Sequence, residues 1–143
     1  MFISASARVP SASRLDFSKA YFLTAGIAGT PPDQGTLGSA VWAHRLVDSD
    51  TARRIMTLRT NSQGIYCTTQ MEDNATATAL KAHGYLNRYL SLRTVSNFDQ
   101  PHPGQSVLDH LDHSTAGFPL ALDNAYTVAR TATDYLLKNP PRQ

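Results

Sequence analysis

The run RYLSLRTV, Arg88 to Val95, leaves the chain few options. Tyr89, Leu90 and Leu92 supply apolar content beside β-branched residues, a mixture that suits a pleated and partly buried surface. The stretch ahead of it, Met71 to His83 (MEDNATATALKAH), reads as a helix closed by Gly84. Before that, Ile65 to Thr69 (IYCTT) reads as a short buried strand. Strand, helix and strand in that order predict a parallel crossover and hence an α/β protein with a mainly parallel sheet flanked by helices.

The remaining segments extend this frame. Ala20 to Ala25 (AYFLTA) reads as a buried strand that stops at Gly26, with GIAGTPPDQG as the loop after it. Thr36 to Val47 has a mixed period and is assigned to a strand, whereas Asp48 to Thr60 favours a helix capped by Ser49 or Asp50. Gln105 to His113 forms a short helix. Pro119 to Lys138 forms a longer one, with Leu122, Tyr126, Ala129, Thr133 and Leu136 recurring at helical spacing. Pro140 and Pro141 end it. Residues 1–15 read as a flexible leader, and residues 16–139 as a single domain.

Composition narrows the function classes. Thirteen Lys and Arg are scattered among eleven Asp and Glu, giving a net charge of +2 without a basic block, which argues against a nucleic-acid partner. The single cysteine, Cys67, excludes an internal disulfide and a multi-cysteine zinc site, and leaves the redox compartment open. The longest charge-free apolar stretch, AYFLTAGIAGTPP, is shorter than the roughly 20 residues a membrane-spanning helix needs and is interrupted by Gly and Pro. This chain by itself is expected to span no bilayer.

In a parallel α/β sheet, ligands bind beyond the carboxyl ends of strands. Three segments sit there: GIAG (Gly26 to Gly29), QMEDNAT (Gln70 to Thr76) and SNFD (Ser96 to Asp99). GIAG lets backbone approach a ligand but lacks the spacing and the lysine of a phosphate-binding loop, so turn chemistry explains it equally. Glu72 and Asp73 complement the positive end of a helix; Glu72 could also accept hydrogen bonds from sugar hydroxyls. Asn97 and Asp99, after Ser96, cap a turn, or else Asn97 offers an amide to a flat heterocycle with Phe98 stacking beside it. Asn74-Ala75-Thr76 is a formal glycosylation acceptor on a helix and carries little weight. His102, His110 and His113 lack the matching third ligand of a metal centre, and no metal or cofactor is expected. Arg59, Arg88 and Arg93 read as ion-pair partners. No nucleophile elbow is present.

Taken together, TAGIAG, TQMEDNAT and RTVSNFDQPHPGQS resemble the purine nucleoside permease family, over Asp16 to Asp48, Gly64 to Leu80 and Leu92 to Ser106, followed by the C-terminal helix. That family is similar to the nucleoside phosphorylases. The resemblance implies an α/β fold of that kind, a purine nucleoside as ligand, and nucleoside transport. By position, Met71 and Glu72 match a methionine-glutamate pair whose glutamate takes the ribose hydroxyls. Ser96 and Asn97 match a serine-aspartate pair whose aspartate protonates the purine. Asn97 has no acidic proton to give, so the resemblance implies base binding without general acid catalysis, and no catalytic residue is assigned. Thr24 and Ile27 stand where phosphorylases hold phosphate with an arginine and a serine, which argues against phosphorolysis; a nucleoside phosphorylase- or hydrolase-like enzyme stands as the alternative reading, and a non-functional remnant as a third. Gly26 and Gly29 complete the implied pocket as a backbone wall. Family members are longer, with strands ahead of Asp16 and a central segment between the matches to Asp48 and Thr51. A sheet so shortened exposes edges that favour homo-oligomers.

Overall fold

The computed structural model of the chain describes residues 16–46, 67–112 and 116–140. Three strands form one sheet in the order β1-β3-β2: β1 is Phe22–Thr30, β2 is Ala40–Trp42 and β3 is Tyr89–Phe98. Helix α1 (Asp73–Ala82) and a single 3-10 turn (Leu86–Arg88) precede β3, and α2 (Val107–Asp112) and α3 (Phe118–Lys138) follow it.

The α/β class stands, but the sheet is mixed rather than mainly parallel. β1 pairs with β3 in parallel and β2 pairs with β3 antiparallel. The reason lies between β1 and β2. Turns at Pro32–Gln34 and Leu37–Gly38 reverse the chain, the second using the positive φ of +85° that Gly38 tolerates. A strand that reverses direction after β1 and docks on the far side of β3 must run against both. The parallel pair instead needs a long crossover, and the segment that carries α1 provides it.

Strand β1 is longer than its sequence suggests and displaces an expected loop. GIAG, read as the turn after a strand at Ala20 to Ala25, lies inside β1. Its glycines mark close approaches rather than a bend: a Cβ on Gly26 would come within 2.5 Å of the Arg93 guanidinium, and one on Gly29 within 3.3 Å of the Asn97 amide. Likewise β3 runs past the expected end at Val95, so Ser96, Asn97 and Phe98 are strand residues, with a bulge that pairs Ala28 with Val95 but Gly29 with Asn97. Of IYCTT, only Cys67 to Thr69 is described, and Thr69 forms an isolated antiparallel bridge with Gly29. The leader at 1–15 and the expected helix from Asp48 to Thr60 lie outside the described residues.

Helix α1 starts two residues later than expected because a side chain caps it. Gln70 Oε1 accepts the backbone N–H groups of Glu72 and Asp73, both at 2.8 Å, in place of the missing preceding turn. Gly84, at φ +77°, ends the helix as its sequence suggests.

Helix α3 packs on a different stripe from the one its larger residues trace. Ala121 and Ala125 are buried, while Leu122 and Tyr126 are 45% and 65% exposed. Alanines bring the helix close to the sheet, close enough for the Thr94 hydroxyl to donate to the Ala121 carbonyl at 2.6 Å and for the Asn124 amide to donate to Gly38 O at 2.8 Å. In β3, Leu92 and Val95 are fully buried, each contributing about 1.5–3 kcal/mol. Among the described residues no helix is long and apolar enough to cross a membrane.

Candidate functional site

The other face of β3 is polar. Tyr89, Ser91 and Arg93 alternate along the strand onto one side, and Asp73, the first residue of α1, is fully buried against them. Arg93 grips this carboxylate with two nitrogens, Nε at 3.1 Å from Oδ2 and Nη2 at 2.5 Å from Oδ1. Ser91 Oγ also donates to Asp73 Oδ2. The Tyr89 hydroxyl lies 2.9 Å from both Asp73 Oδ1 and Thr24 Oγ1. Tyr89 has one hydrogen and the carboxylate accepts only, so Thr24 donates to Tyr89 and Tyr89 to Asp73. Every lone-pair direction of the carboxylate is thus used.

Burial pushes the Asp73 carboxyl up, but the hydrogen bonds from Arg93, Ser91 and Tyr89 and the Arg93 charge outweigh it and hold the group below its ordinary range. Burial likewise pushes the Tyr89 hydroxyl up, and the carboxylate beside it adds to the rise. For stability the sign is fixed by Asp73. A group whose acidity is strengthened by folding contributes fully above its unfolded pKa of about 4, and the contribution disappears as pH falls through the lower folded value. Denaturant midpoints are therefore expected to hold from neutral pH to about 4 and to drop below it. Asp73→Asn removes the part of that drop that belongs to this carboxylate.

Arg93 carries the network outward. Its Nη2 is 3.4 Å from Glu72 Oε2 and 3.4 Å from Gln70 Oε1, and its Nη1 lies 3.5 Å from Ile27 O. The expected ion-pair role of Arg93 is met, by a carboxylate inside the fold. Glu72 is the outer member: its side chain is 38% exposed, against 0% for Asp73. Gly26 faces the same guanidinium, and its missing side chain is what makes room for it.

A second group of expected residues meets about three residues further along β1, or about 10 Å. Gly29 exchanges backbone hydrogen bonds with Thr69, at 3.0 and 2.8 Å, and pairs with Asn97 across the sheet. Thr69 Oγ1 donates to Asp99 Oδ2 at 2.8 Å, fastening the QMED segment to the SNFD segment. Ser96 is buried and donates to Asn97 Oδ1 at 2.8 Å, while Asn97 Nδ2 donates to Phe98 O at 3.1 Å. Each polar atom of the Asn97 amide so keeps one further bonding direction. The Phe98 ring meets His102 edge-on, with centroids 4.6 Å apart. Met71 is 89% exposed.

Gly26 and Glu72 thus lie beside Arg93 midway along the β1–β3 pair, and Gly29 and Asn97 about 10 Å further toward its end, with Ser96 and Phe98 flanking Asn97 in the strand and with Met71 exposed next to Glu72 in the chain. Sequence reasoning missed Asp73 as a buried centre, treating it as a helix-dipole residue. The available signal was the polar alternation Tyr89, Ser91, Arg93 within an otherwise apolar strand. Among the described residues no group of three His, Cys, Asp or Glu could hold a metal ion. His113, of the DHLDH stretch, lies outside them, and Asp109 accepts from the Ser106 hydroxyl at 2.6 Å at the start of α2.

Comparison with known proteins bears on these segments directly. The profile of the family described as Purine nucleoside permease matches residues 3–57 and 49–140. A probable purine nucleoside permease of Schizosaccharomyces pombe is 34% identical over 108 residues, 71% of this chain and 31% of the relative. A purine nucleoside permease of Candida albicans is 37% identical over 73 residues, 47% of this chain and 18% of the relative. The chain therefore spans less than a third of the length of these curated relatives. No solved structure matches it. With the profile covering nearly all of its length, the chain belongs to the purine nucleoside permease family.

Proposed function

We propose that the chain binds a purine nucleoside at the corner formed by Glu72, Gly29 and Asn97, as its share of nucleoside transport. The observation that carries this reading is the joining, through Gly29, Thr69 and Asp99, of two segments distant in sequence. One of them brings a half-exposed carboxylate and the other an amide with bonding capacity to spare.

Their chemistry suits the two halves of a nucleoside. Glu72 is held by Arg93 through Oε2, which leaves Oε1 to accept from ribose hydroxyls. The remaining hydrogen and lone pair of Asn97 match the alternating donors and acceptors on a purine edge. Phe98 and the exposed Met71 offer apolar contact to base and sugar, and the Gly26 to Gly29 backbone lies alongside. Asn97 has no proton to transfer, so the base is held and not released.

Calorimetric titration with inosine and adenosine, with and without phosphate, tests the reading. Saturable binding, indifferent to phosphate and without release of free base, is expected. Glu72→Ala removes a charged hydrogen-bond acceptor and weakens the affinity by roughly 10- to 100-fold. Unchanged affinity in that variant, or free base in the titration cell, would overturn it.

A further inference from the structure

Helix α3 carries a second row of side chains beside the alanines that face the sheet. Leu122, Tyr126, Ala129 and Thr133 recur at helical spacing, and Leu137 continues the row a turn later. With about 3.6 residues per turn, the row lies roughly a quarter-turn from Ala121 and Ala125, so it flanks the sheet contact instead of joining it. Leu122, Tyr126 and Leu137 are exposed. Single exposed apolar residues are ordinary, whereas a row of them along one helix marks a surface that something covers.

The row points past β1. Leu120 and Asn124 stand on the opposite flank of α3, where a Cβ on Gly38 would meet both, and Gly38 donates to Val95 O on the β2 side of β3. With the sheet in the order β1-β3-β2, the flank turned away from β2 overhangs the edge at β1. Gly29 exchanges its backbone hydrogen bonds with Thr69 on that outer edge, so by strand alternation Leu23 and Ala25 aim theirs to the same side, where they meet no partner among the described residues. Phe22–Thr30 has neither a charge nor a proline, the usual guards of an edge strand.

We propose that this face binds a second copy of the chain across a two-fold axis perpendicular to the sheet, pairing α3 with the partner's α3 in antiparallel order. A second copy fits because the row complements itself. Antiparallel order about a point between Thr127 and Val128 sets Leu122 against the partner's Thr133 and Tyr126 against the partner's Ala129, large against small. On the solvent flank, Asp123 and Arg130 are symmetric about nearly the same point, so Asp123 meets the partner's Arg130 and the two-fold repeats this opposite-charge contact. Within one copy Arg130 has a loose, exposed pair with Asp134, at 4.0 Å, which competes weakly. The same axis lays β1 beside the partner's β1 and continues the sheet through both copies.

Sedimentation velocity of the full chain, from about 1 to about 200 μM, is the test. A reversible monomer–dimer equilibrium within that range is expected, because one helix pair and one strand edge make a small interface. Asp123→Arg and Arg130→Asp each set like charges against each other and weaken the dimer at least about tenfold, while the two together restore it to within about threefold of the parent. All three changes fall on exposed positions, and circular dichroism establishes that the variants are folded. Monomer throughout the range, assembly beyond the dimer, a dimer that either single reversal leaves unchanged, or a double variant no tighter than the single ones overturns the proposal.

Discussion

Asp73→Ala lowers the unfolding free energy by about 3–5 kcal/mol, a large share of the total for a chain of this size. The substitution removes little apolar contact; its cost is what it leaves behind. Arg93, 6% exposed, stays in the interior with only the half-exposed Glu72 carboxylate, 3.4 Å from Nη2, to offset its charge, and Ser91 and Tyr89 lose the acceptor their hydroxyls were aimed at. Asp73→Asn keeps an acceptor but not the charge, so it falls between the parent and the alanine variant. The ordering of the three in urea or guanidinium melts is the measurement. A loss below about 1 kcal/mol in Asp73→Ala would mean that the pair is hydrated rather than buried.

Gly117→Ala is the second substitution with a large effect, and its sign runs against helix propensity. Gly117 caps α3 at φ −86°, ψ −2°, a conformation open to any residue, so alanine there brings no backbone strain and reduces the freedom of the unfolded chain. Yet its Cβ would collide with the Ser96 carbonyl oxygen and come within 3.0 Å of Leu37 Cδ2. Ser96 cannot retreat, because it is buried in the bulge of a strand paired to β1 on one side. Helix and sheet must separate instead, at a cost of about 1–3 kcal/mol. Gly84→Ala is the informative comparison, since a Cβ there meets nothing and only its φ of +77° opposes the change. Thermal melts should show Gly117→Ala falling further, and near-ultraviolet circular dichroism should show the loosened packing. Equal melts would place the helix further from the sheet than the Gly117 contact implies.

Much of the fold could be read from residue patterns, and the failures share a cause. Helix α1 with its glycine stop, strand β3 and the long C-terminal helix follow from local rules: a run of helix formers, an apolar β-branched mixture, a proline in the first turn. What local rules could not supply is the partner of each element. GIAG looks like a turn because glycine weakens an isolated strand, yet here it is the neighbour of Arg93 and Asn97 that needs the space. The stripe of Leu122 and Tyr126 has the right period, but the alanines beside it win because they allow a closer approach to Thr94. The direction of β2 depended on two turns whose geometry a propensity scale does not carry. At the candidate site, Glu72 and Asn97 were legible only as members of motifs, since neither spacing nor composition reveals that Thr69 and Asp99 tie their segments together.

The buried ion pair also settles a question of alignment. Parallel strands of small and apolar residues such as β1 have little to choose between two registers one residue apart, but such a slip turns every side chain of a strand to the opposite face. If β3 moved by one position, Arg93 would point at α3, where Ala121 and Ala125 offer no anion, and Leu92 would confront Asp73. The competing alignment is thereby penalised far more than a hydrophobic pair at the same positions would penalise it. Set against the energy of taking two charges out of water, the value of Asp73 and Arg93 lies in selectivity among folds: they leave β1 and β3 one way to fit together.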